Sequence, residues 1–108
     1  MMNELAAVIP FRARTGNGED VARLIAGALP HVESEAGTTT WLVLRSEADP
    51  DLIFLIDLFT DHESRNAHMS GEAAKLIFGS VPPLLAEPPS IHPATIVTRK
   101  PAPGKGRM

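Results

Sequence analysis

Two side chains of this sequence, Asp57 and His68, are placed to do acid–base chemistry together. Both fall in LIFLIDLFTDHESRNAHM, the stretch Leu52–Met69. Asp57 is the one polar residue of Leu52–Phe59, and so short a run of Leu, Ile and Phe reads as a strand buried on both faces. Thr60-Asp61-His62-Glu63 then reads as a capping box, with Thr60 accepting from the backbone N–H of Glu63 and Glu63 reaching back. A buried strand therefore hands directly to a helix, with a carboxylate near the strand's end and an imidazole about two turns into the helix. The two could face a common cavity.

An imidazole with an unperturbed pKa of about 6.5 suits proton abstraction at neutral pH. His68 is thus a candidate general base, with Asp57 orienting it or binding a hydroxyl. The plainer alternatives are structural. His68 would cap its helix and bond backbone or Glu72, and Asp57 would hold the strand-to-helix turn. A buried carboxylate needs a partner in either case. Trp41, Phe54, Phe59 and Phe78 could line a pocket for an aromatic substrate or simply fill the core. Phe59 shares a face with Asp57, which favours it as a pocket residue. No metal site is expected: there is no cysteine, and His31, His62 and His92 have no ligand-like spacing backed by a third ligand.

The elements that must position these groups can be read in order. Leu5–Arg14 is a first strand with Leu5, Ala7, Ile9 and Phe11 on one face. Pro10 cannot donate to a ladder and predicts an edge or a bulge there. Asn17 reads as an N-cap. Val21, Leu24, Ile25, Ala28, Leu29 and Val32 then trace an amphipathic helix, kinked or divided at Pro30 and ended near Gly37. Thr38–Arg45 is a second strand, with Trp41 and Val43 on one face and Leu42 and Leu44 on the other. The helix carrying His68 pauses at Ser70-Gly71 and resumes over Glu72–Ser80 with Ala73, Leu76 and Ile77 inward, until Pro82-Pro83 stops it. Ser90–Thr98 is the last strand.

The order β-α-β-β-α-β is that of an α+β, ferredoxin-like fold with a four-stranded antiparallel sheet. Its helices cover one sheet face, yet LAAVIPF, WLVL and LIFLIDLF are apolar on both. A second copy is the expected cover, giving a homodimer. Residues 1–98 form one domain, and residues 99–108 form a disordered tail.

Composition narrows the function classes. Residues 1–98 hold six basic and thirteen acidic residues, a net −7, which would repel phosphate backbones and argues against nucleic-acid binding. No apolar run reaches membrane-spanning length, and the N-terminus lacks a basic start before a long apolar region. A cytoplasmic protein is expected.

Several marks now align: a first strand ending in a glycine turn, Glu35-Ala36-Gly37-Thr38 before the second strand, Asp57-Leu58-Phe59 closing the third, then Thr60-Asp61 and Ala67-His68-Met69-Ser70. Together they resemble the antibiotic biosynthesis monooxygenase family over roughly residues 5–98. The resemblance implies a dimeric α+β barrel. It also implies cofactor-independent oxygenation, without metal or flavin, of a small aromatic phenol or quinol. Asp57 stands where the family usually has Glu, Phe59 where it has Trp, and the chain has no tyrosine. The haem-degrading branch is not matched, because the first strand lacks its Asn and Phe78 falls near the iron-ligand position. Two readings follow. One is a monooxygenase acting on a phenol or quinol. The other is a non-catalytic dimeric barrel that binds a hydrophobic small molecule or serves as an accessory protein.

Overall fold

A computed structural model describes residues 5–100; the first four residues and the expected tail from residue 101 onward lie outside the described residues. The order is β1 (Leu5–Arg12), α1 (Gly18–Ala26), α2 (Leu29–Glu33), β2 (Thr38–Arg45), β3 (Leu52–Phe59), α3 (His62–Met69), α4 (Glu72–Ser80), a 3-10 turn at Pro82–Leu84, and β4 (His92–Thr95). The strands lie in the order β2-β3-β1-β4, all antiparallel, which is the ferredoxin-like arrangement. Pro30 lies in the first turn of α2, where the first helical segment divides, as expected of a residue without an N–H.

β1 is a central strand, so the edge position expected from Pro10 is corrected. Pro10 is tolerated because β4 pairs only with Leu5–Val8, leaving that side of β1 without a strand partner at Pro10. Asn17 does precede α1 but makes no side-chain cap. The Asp51 carboxylate accepts from the N–H groups of Gly16 and Gly18 instead. The Thr60 capping box is also corrected: Asp61 is the N-cap of α3, accepting from Ser64 N at 2.8 Å, and Thr60 bonds the Ser64 hydroxyl.

β3 is not buried on both faces. Ile53, Leu55, Asp57 and Phe59 are buried against the helices, while Leu52, Phe54, Ile56 and Leu58 are only half-buried on the opposite face. The first set continues across β1 as Leu5, Ala7, Ile9 and Phe11. With Val21, Ile25, Ala73 and Ile77 from the helices, these residues make the core. Ala74, not Leu76, is the second inward residue of α4; Leu76 is exposed. The second sheet face carries Val8, Leu42, Leu44, Phe54 and Ile56, and there Leu42 and Leu44 are 46% and 42% exposed. Among the described residues, no helix is long and apolar enough to cross a membrane.

Candidate functional site

A bulge sets the site's geometry. β2 pairs Thr38 with Phe59 but Thr40 with Leu58, so Thr39 is an extra residue on the β2 side. Without it Thr40 would stand beside Asp57 on the helix-facing side. With it Trp41 does, and Val43 follows opposite Leu55. The other cross-strand neighbour of Asp57 is Ala7, a small residue. Asp57 and the α3 imidazole above it lie between two separate apolar clusters, the main core and a small one of Leu5, Ala7 and Phe59.

Asp57 is fully buried and His68 is 4% exposed. His68 does not cap its helix or reach Glu72. Its Nδ1 lies 2.5 Å from Glu35 Oε1, and its Nε2 lies 3.1 Å from Asp57 Oδ2. The Phe59 ring packs on the imidazole with centroids 5.3 Å apart. Glu35 Oε1 also accepts from Thr38 Oγ1 at 2.9 Å, which fixes the carboxylate at the turn between α2 and β2. α3 approaches that turn closely because residue 37 is glycine: a Cβ there would fall 2.0 Å from Ser64 Oγ.

Directed hydrogen bonds are uneven across this trio. The Asp57–His68 contact is close but poorly aligned, and neither Asp57 oxygen has a hydrogen-bond partner. Trp41 Nε1 is also buried without one. Buried polar atoms are almost always paired, so three unpaired atoms on adjacent residues of one sheet face mark a functional candidate. Burial raises the Asp57 pKa, and this outweighs the opposing pull of His68. Burial alone would lower the His68 pKa, but its contacts with Asp57 and Glu35 dominate and raise it. The site therefore favours an imidazolium held between two acidic side chains.

Both shifts put more protons on the folded chain than on the unfolded one, so stability declines as pH rises. The His68 contribution is complete below its ordinary value of 6.5 and is lost as pH climbs through the raised folded value. Denaturation midpoints measured at increasing pH above about 6.5 should fall, and His68→Gln should flatten that profile. A flat profile in the wild type would show that the folded imidazole holds no extra proton.

The structure thus brings together Asp57, His68 and Phe59, with Trp41 beside them. Phe54 is not brought there, since it lies on the opposite sheet face between Pro10 and Leu44. Phe78 packs against Phe11 at 6.3 Å, in the main core. Glu35 is the residue missed as a site residue. Its signal was the Glu35-x-Gly37 pattern, which marked a helix end without indicating that the carboxylate turns inward. Among the described residues no group of three or more His, Asp or Glu side chains is arranged to hold a metal ion.

Comparison with known proteins agrees with this fold. A sequence model described as antibiotic biosynthesis monooxygenase matches residues 5–78. A solved Nitrosomonas europaea protein of unknown function is 31% identical, with a TM-score of 0.82 over 92% of this chain and 94% of its own. A candidate antibiotic biosynthesis monooxygenase from the same organism superposes with a TM-score of 0.81 at 16% identity, covering 94% of this chain and 96% of its own. Another from Caulobacter crescentus gives 0.78 at 14%, covering 89% and 92%. At such identities these last two show a shared fold. No curated protein matches the chain significantly.

Proposed function

The chain belongs to the antibiotic biosynthesis monooxygenase family, and from that footing we propose that it oxidises a small aromatic phenol or quinol with O2, using its own side chains and no cofactor. The observation that carries this reading is the buried, unpartnered Asp57 carboxylate held against His68. Asp57 accepts the phenolic proton. A base whose pKa is lifted toward the working pH by burial suits that task. His68, as the imidazolium, offsets the negative charge that appears as the substrate becomes an anion. The indole N–H of Trp41, buried without a partner on the strand residue paired with Asp57, supplies in this reading a donor to the same phenolic oxygen. A hydroxyl between the two would accept from Trp41, donate to Asp57 and satisfy both.

The substrate anion then supplies the electrons. A p-hydroquinone and O2 give a hydroxyquinone and water, with one oxygen atom in each product, so no external reductant is needed. Apolar surroundings from Leu5, Ala7 and Phe59 keep water from the reacting centre. Oxygen-electrode measurements should find uptake with hydroquinones and none with their dimethyl ethers, which cannot give up the proton. Equal rates for the two would remove Asp57 from the mechanism.

The half-exposed apolar sheet face supports a homodimer built sheet against sheet as an α+β barrel. Light scattering should report twice the 11.6 kDa of one chain, and Leu42→Asp with Leu44→Asp should shift it toward the monomer. A wild type that stays monomeric at micromolar concentration would contradict this assembly.

A further inference from the structure

Asp57 has no solvent exposure in the single chain, whereas Glu35, at the other end of the trio, reaches the surface. We propose that Glu35 is the proton port of the site, passing protons between His68 Nδ1 and water in an adjoining surface cavity. This rests on Asp57 and His68 being the group that takes and returns the substrate's proton. The cavity, about 170 Å³, is lined by Glu35, Gly37, Thr38, Ser64, Ala67 and His68 among others, while Asp57 and Phe59 do not line it. Glu35 is 21% exposed at the side chain, against 4% for His68 and none for Asp57. The three groups therefore form a graded path from interior to solvent.

Distances and chemistry agree along that path. Oε1 of Glu35 is 2.5 Å from Nδ1 and 2.9 Å from the Thr38 hydroxyl that holds it in place. The two nitrogens of an imidazole can act at opposite ends of a relay. The imidazolium gives up its Nδ1 proton to Glu35, which hands it to water, and keeps its Nε2–H toward Asp57. Reloading runs the same steps backwards, and only N–H and O–H bonds change. The missing side chain at Gly37 has a second consequence here: any Cβ would project onto Ser64, within the cavity wall. When an aromatic substrate covers Asp57, Glu35 is the remaining outlet, so the port sets the site's charge during turnover.

The test needs no substrate and uses the full chain labelled with ¹⁵N. Ring-nitrogen NMR spectra report the His68 tautomer and the exchange of its Nδ1 proton with water. Glu35→Gln keeps an acceptor for Nδ1–H but cannot carry a proton, and should slow that exchange about 10²-fold, the lower end for a positioned proton-transfer group. Ala67→Leu bulks the cavity wall from α3 while keeping all three proton-carrying side chains, and should slow exchange less. Wild-type exchange rates in both variants would overturn the port. So would a wild-type ring proton as protected as the core amides. These outcomes are independent of whether any quinol is oxidised, so a failed oxygen assay and a failed port are told apart.

Discussion

Replacing Asp57 by Asn should lower oxygen turnover about 10²-fold or more while leaving the fold intact. Asparagine has the same shape but no basic oxygen and no charge to desolvate. His68 keeps Glu35 as its partner, 2.5 Å away, so no cation is stranded. The melting temperature should hold or rise, because the buried carboxylate is itself a cost. Binding of a competitive quinol analogue should change far less than turnover, since the loss falls on proton transfer. Equal turnover in the variant and the wild type would show that Asp57 is a structural acid.

His68→Ala should give the largest loss of stability of any single change at the site, about 3–5 kcal/mol, the range for removing one member of a buried ion pair. The Asp57 carboxylate would remain in an apolar setting with nothing to offset it, and the Glu35 carboxylate would lose its contact. From the sequence alone a histidine near a helix end is worth only about 1 kcal/mol as a cap or hydrogen bond. The larger figure comes from its two acidic neighbours. Because the penalty lies in the stranded charge, adding Asp57→Asn to His68→Ala should recover much of it. Thermal melts of both single variants and the double variant measure this coupling directly. Strict additivity would mean that the imidazole and Asp57 do not act on each other.

Much of the fold was legible because local signals agreed with the tertiary structure. Thr38–Arg45 and Leu52–Phe59 were bounded by turn-forming residues, Pro30 marked the division between α1 and α2, and Gly71 marked the break between α3 and α4. Pro10 misled because one unpaired edge is enough to admit a proline, even in a strand that is central elsewhere. Thr60 misled because the neighbouring Asp61 also fits an N-cap, and the turn geometry decided between them. At the site, Asp57 and His68 stood out as polar groups in or near apolar runs. Glu35 did not, because its inward turn depends on contacts with Thr38 and on α3 settling over Gly37, a long-range event. Phe54 and Phe59 illustrate the same limit: alternation separates their faces, but only the helices show which face holds the imidazole.

The most direct test of the central claim is isotopic. The purified protein, treated with a chelator, is given a hydroquinone under ¹⁸O₂, and product and water are analysed by mass spectrometry. One labelled oxygen atom should enter the quinone product and one should leave as water, at a rate that collapses in Asp57→Asn. If the same quinols bind but no label enters any product, catalysis is contradicted and the protein is a binding barrel for hydrophobic small molecules.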